Sequence, residues 1–196
     1  MPPRRRAVGI RKFLLALGVA LCKSLLANAG TDEPEVEDMR EDSIEREIEI
    51  GAPIERVWEV LTRPEHVATW FGTGVPIDID LRPGGIMTLD HGAFGRYRTR
   101  FVEVTPPRVL SYRWAAGFPD QLPDTTNSTL VEFTLAPTAT GTTLRVVESG
   151  FASFEMPADR ERAAGFENHS EGWSDVLQRA AALAEGQVVE PLAGRV

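Results

Sequence analysis

Hydrophobic and polar positions change period twice along this chain. From Ser43 to Ile50 the apolar Ile44, Ile48 and Ile50 alternate with Glu45, Glu47 and Glu49, the two-residue repeat of a half-buried strand. Gly51-Ala52-Pro53 stops that strand, and proline suits the first turn of a helix, so Pro53 to Leu61 reads as a helix with Ile54, Val57, Trp58 and Leu61 on one stripe. Arg63-Pro64 breaks it, and Glu65 to Phe71 supplies a second short helix ending at Gly72. From Ile77 onward the period returns to two. Strands are expected at Ile77–Leu81, Ile86–Asp90, Arg96–Val104, Val109–Trp114, Leu130–Leu135 and Thr142–Ser149, separated by turns rich in Gly, Pro, Asn and Asp. The proline-rich Gly117–Ser128 is long enough to be a lid or lip. Finally, Phe166, His169, Ser170, Trp173, Leu177, Ala180 and Ala184 recur at three- and four-residue steps, so Asp159–Glu185 reads as one long amphipathic helix.

The pattern predicts an α+β domain in which an antiparallel sheet wraps the terminal helix. Alternation places Tyr97 and Phe101, then Leu110, Tyr112 and Trp114, then Val131, Phe133 and Leu135, on one face. In the last strand Leu144, Val146 and Glu148 share a side. Arg96, Arg98 and Arg100 oppose the aromatic row and read as a solvated outer face.

The 196 residues suit one domain and a tail. Residues 1–38 read as an extension carrying a signal-like stretch, with basic Arg4, Arg5, Arg6, Arg11 and Lys12, apolar Phe13–Cys22 and Ala27-Asn28-Ala29, followed by an acidic linker. Two readings follow: an inert extension with initiation at Met39 and a cytoplasmic protein, or export or membrane tethering through residues 4–29. The domain is expected over residues 39–186 and a flexible tail over 187–196.

The formal charge of −8 argues against nucleic acid as a partner. The single cysteine, Cys22, lies outside the expected domain, which excludes a thiol nucleophile and a disulfide framework there. His66, His91 and His169 have no ligand-like spacing, so neither a metal site nor a cofactor is expected. Gly84, Gly85 and Gly95 lack the context of a phosphate loop, and Ser149-Gly150 lacks that of a hydrolase nucleophile elbow. The polar residues that stand out are Glu148, on an aromatic face, and His169, on the inward stripe of the last helix. A carboxylate there needs a partner, and His169 can be that partner. The pair reads as a structural bridge, a ligand-orienting contact or, as the weakest alternative, an acid/base catalyst.

The stretches Thr62–Phe71, Pro83–Gly85, Val104–Trp114, Glu148–Phe151 and Gly172-Trp173 resemble the helix-grip fold of the SRPBCC superfamily, also called START-like or birch-pollen-allergen-like. Within it they resemble the bacterial single-domain group named for the activator of the heat-shock-protein ATPase. The resemblance implies a cavity between sheet and terminal helix for a small hydrophobic or amphipathic molecule. Its candidate lining is Trp70, Phe71, Tyr97, Phe101, Tyr112, Trp114, Phe133, Glu148, Phe166, His169 and Trp173. Binding without catalysis is the leading expectation, with a cyclase-like or hydrolase-like enzyme using Glu148 and His169 and a protein-interaction module as alternatives. The chaperone-binding N-terminal domain of the eukaryotic activator has no counterpart here, so contact with a chaperone is not supported by the sequence, and homodimer formation is left open. Gly172 is expected to allow close approach of helix and sheet.

Overall fold

The computed structural model describes residues 42–153 and 156–192. The expected extension at residues 1–38 lies outside the described residues.

Six strands form one antiparallel sheet: β1 (Ser43–Ile50), β2 (Ile86–Asp90), β3 (Arg96–Thr105), β4 (Val109–Trp114), β5 (Thr129–Pro137) and β6 (Thr142–Ser149). Their spatial order is β1-β6-β5-β4-β3-β2. The hairpins run consecutively from β2 to β6, and the chain's first strand closes the far edge against β6, with Ile44 opposite Glu148 and Ile50 opposite Thr142. A bulge between Phe101 and Glu103 shifts the β3–β4 register. Such an extra residue bends the strand and increases its twist, which helps the sheet curl.

Helices α1 (Ile54–Thr62) and α2 (Pro64–Phe71) follow β1, and α4 (Phe166–Ala184) follows β6. Pro53 caps α1, and Pro64 opens α2, where its missing N–H costs nothing. The α4 helix packs against α1, α2 and β1. Arg46 on β1 ties it down by donating to the Ser170 carbonyl (3.0 Å) and Ser170 Oγ (2.8 Å). The core fills the space between the inner sheet face and the helices, with Val131, Leu144, Val146 and Leu177 fully buried. This is the helix-grip arrangement expected from the sequence.

Three local expectations are corrected. Ile77–Leu81 is not a seventh strand: it touches β2 through an isolated Ile79–Met87 bridge and an Asp80 N–H to Ile86 carbonyl bond. Its alternation is genuine, since Ile77 and Ile79 are half-buried, but Pro76 and the turn at 82–85 leave only its middle able to reach the neighbouring strand. The terminal helix is two helices, because Gly165 adopts an extended conformation (φ −78°, ψ 173°) between α3 (Glu161–Ala164) and α4. A Cβ at Gly165 would overlap the Glu161 carbonyl oxygen. Residues 187–192, within the expected tail, form neither helix nor strand; there Leu192 N–H bonds the Gly72 carbonyl (2.9 Å), and Arg179 donates to the carbonyls of Thr69 and Glu190. Gly172 does not serve close approach, since a Cβ there would meet nothing within 4 Å.

Candidate functional site

The inward row of β6 ends in Glu148, whose carboxylate is fully buried and receives donors from two other elements. Thr129 Oγ1, on neighbouring β5, lies 2.6 Å from Oε1. From α4, Trp173 Nε1 donates to Oε2 at 2.6 Å, and His169 Nδ1 is 3.0 Å from both oxygens. His169 and Trp173 are four residues apart, so one helical face presents both rings to a single carboxyl group. A buried carboxylate is tolerable only when its lone pairs are met in this way. Both contacts of the His169 ring with Glu148 run through Nδ1, which leaves Nε2 for another partner.

The His169 ring stacks on Trp114 at the end of β4, with centroids 4.6 Å apart and planes 20° apart. Phe151 stands edge-on to both His169 (5.7 Å) and Phe166 (5.2 Å). His91, just after β2, lies 5.5 Å from Tyr97 and 6.3 Å from Trp114. Two ring nitrogens in this group, His91 Nε2 and Trp114 Nε1, are buried with no hydrogen-bond partner. Burial lowers the His91 pKa to about 4, with Asp90 opposing the shift and His169 adding to it, so His91 is neutral at pH 7. Burial and then the Glu148 charge raise the Tyr112 phenol well above its ordinary range.

The sequence-predicted residues therefore separate into two groups. Trp70, Phe71, Phe101, Tyr112, Phe133 and Trp173 pack on one another in the interior, with Trp173 5.6 Å from Phe71 and 5.7 Å from Phe133, centroid to centroid. Trp70 is further fixed by its indole N–H to the Val60 carbonyl (2.9 Å). Tyr97, Trp114, Phe166 and His169, together with Glu148, lie toward the sheet end where the turn after β2 and the segment after β6 meet. Gly95 backs onto Pro119 and Gly117 onto Met156, so the Gly117–Ser128 loop forms one lip of this end.

Sequence reasoning missed His91, Thr129 and Phe151. The first two were within reach of the two-residue rule: Met87, Leu89 and His91 continue one row, and Thr129 precedes Val131, Phe133 and Leu135 on another. Phe151 sits in a short 3₁₀ turn, where periodicity says nothing.

A separate surface cleft of about 620 Å³ opens at the other end of β6, lined by residues of the β1–α1, β3–β4 and β5–β6 connections, including Pro53, Arg108 and Thr138. Six residue steps of β6 put it roughly 20 Å from Glu148. Among the described residues no group of three or more His, Cys, Asp or Glu is placed to hold a metal ion, and no helix is long and apolar enough to cross a membrane.

A curled six-stranded antiparallel sheet closed over a long C-terminal helix defines a START-like, helix-grip protein. The chain belongs to the family described as activator of Hsp90 ATPase homolog 1-like proteins, whose profile matches residues 51–185. Among solved structures it is similar to protein MLL2253 from Mesorhizobium loti, with 28% identity, a TM-score of 0.58, and coverage of 74% of this chain and 98% of that one. DynU16, described as a protein in the dynemicin biosynthetic locus, is 25% identical with a TM-score of 0.57, covering 76% of this chain and 49% of that one. The Aha1 dimer from Colwellia psychrerythraea shares the fold at 16% identity and a TM-score of 0.57, covering 79% of this chain and 98% of that one. No curated protein matches the chain.

Proposed function

We propose that the protein binds a small hydrophobic or amphipathic molecule at the sheet end, against Trp114, Phe151, Phe166 and His169, with its polar group directed at ring nitrogens. The observation that carries this reading is the pair of buried, unpartnered nitrogens, His91 Nε2 and Trp114 Nε1. Buried polar groups are nearly always paired, because leaving one unpaired costs about 1–3 kcal/mol. Aromatic walls with a few polar groups suit small-molecule recognition, the walls supplying affinity and the nitrogens orientation. The description of DynU16 as a protein in the dynemicin biosynthetic locus fits a small-molecule ligand.

The test is native mass spectrometry of freshly purified protein, followed by thermal shift against a panel of lipids and aromatic polyketides. A bound ligand raises the melting temperature of the wild type. Trp114→Phe removes the N–H together with part of the ring surface stacked on His169 and weakens that ligand by about tenfold or more. If no panel member shifts the melting temperature and nothing co-purifies, the reading fails.

A second reading rests on Glu148 holding His169 through Nδ1. That arrangement fixes the imidazole tautomer and presents Nε2 as a base. It requires a turnover that disappears in His169→Gln.

A further inference from the structure

The outer face of the sheet carries a feature that neither the core nor the sheet end uses. Arg96, Arg98 and Arg100 project from alternate positions of β3, away from the buried Tyr97 and Thr99. Directly across on β4, Arg113 faces Arg100 in the sheet register. Like charges placed opposite one another on adjacent strands are unfavourable, and most proteins put a carboxylate or a neutral residue there.

The neighbouring acids form no ion pair with the group. Asp90 lies opposite Arg96 but accepts the Gly92 N–H at 2.9 Å. Glu103 is bonded by Thr105 Oγ1 at 2.8 Å, and Asp124, held first by Thr126, feels the Arg113 charge without pairing with it. Glu132 stands on β5 opposite Ser111. Among the described residues the ion pairs of this chain involve other arginines, and Arg100 reaches only the Gly84 carbonyl, at 3.4 Å. Four guanidinium groups thus stand without an ion pair on one face of a chain whose net charge is −8.

We propose that the outer face of β3 and β4 is a docking surface for an extended acidic segment of a partner protein. Alternate residues of a strand repeat every 6.6 Å or so, and alternate residues of an extended peptide repeat at the same interval. Carboxylates at every second position of such a segment meet Arg96, Arg98 and Arg100 in register, and Arg113 closes on the one that meets Arg100. The guanidinium fork favours such bidentate pairing with carboxylates. A long polyanion fits less well, because the acidic remainder of the chain repels it beyond the patch.

Fluorescence anisotropy of the full chain at about 50 mM salt tests this, using a labelled peptide of about nine residues with glutamate at alternate positions. Two controls accompany it: a peptide of the same composition with its glutamates blocked together, and a single-stranded oligothymidylate of equal charge. The alternating peptide binds, is released at about 0.5 M salt, and binds about tenfold tighter than the blocked one. The Arg98→Gln, Arg100→Gln double variant loses about tenfold in affinity while its circular-dichroism melt stays at the wild-type temperature. Arg113→Gln gives a smaller loss and keeps the peptide preference. Equal affinity for the two peptides, tighter binding of the oligothymidylate, unchanged affinity in the double variant, or no binding overturns the proposal.

Discussion

Replacing Glu148 tests whether the buried carboxylate holds the last strand and last helix together. Glutamine is nearly isosteric and can satisfy the same three groups if the proton inventory rearranges. Its carbonyl accepts the Trp173 indole N–H, one amide hydrogen goes to Thr129 Oγ1, and the other goes to His169 Nδ1 once that nitrogen gives up its proton. The Thr129 hydroxyl then donates to the Trp114 carbonyl, 3.5 Å away. The cost is the loss of charge assistance, offset by a smaller desolvation penalty, for a net of about 1 kcal/mol. Leucine offers no acceptor. Three donors that now lie 2.6–3.0 Å from the carboxylate become buried and unmet. Each costs roughly 1–3 kcal/mol, partly offset because no charge is buried, so Glu148→Leu is expected to cost about 3–5 kcal/mol. Equilibrium urea unfolding measures both, with an unchanged slope showing that the native state keeps its compactness. Imidazole ¹⁵N shifts report the proton moving to His169 Nε2 in Glu148→Gln. If the leucine variant is as stable as the glutamine variant, the network is not what fixes α4 and the reasoning is refuted.

Other outcomes follow from individual contacts. His91 is neutral in the fold and titrates near pH 4, but titrates near 6.5 when unfolded, so the unfolded state binds more protons in between. Its contribution is therefore constant above about pH 6.5 and falls by roughly 3 kcal/mol as pH drops to 4; His91→Phe should flatten that part of a stability-versus-pH curve, and an unchanged curve contradicts it. Gly172→Ala should raise stability by about 0.5–1 kcal/mol, or a few degrees in Tm, because the added methyl group meets open space and the helix gains propensity. A drop in Tm would show that the space is occupied. Arg46→Ala removes the side-chain bonds from β1 to Ser170 and should cost about 1 kcal/mol in urea unfolding, with any loss confined to stability unless α4 positions a ligand.

The alternation at Ser43–Ile50 and Thr142–Ser149 announced two strands with their observed bounds, because a half-buried strand writes its burial directly into sequence. Glu148 and His169 were legible as a pair for the same reason: each is an ionisable residue on a mostly apolar row. What stayed hidden depended on backbone detail. Ile77–Leu81 has a strand's alternation but pairs at one bridge, since pairing is decided by the approach of a second chain segment rather than by its own residues. The break at Gly165 was masked because the good helix formers of Arg160–Ala164 run straight into the amphipathic stripe that starts at Phe166. His91 looked like a turn residue beside Gly92, and only its position one step beyond Leu89 places it indoors.

The two bonds that α4 makes to Glu148 come from residues one helical turn apart and converge on one carboxyl group. A single tether would let the helix roll about its axis; two, four residues apart, remove that freedom, and Arg179 holds the same helix to α2 farther along. The grip therefore cannot widen by swinging its helix. For the ligand proposed above, differences in girth then fall to the lip at Gly117–Ser128, which makes exchange of that loop, rather than mutation of the aromatic interior, the route by which selectivity would be redesigned.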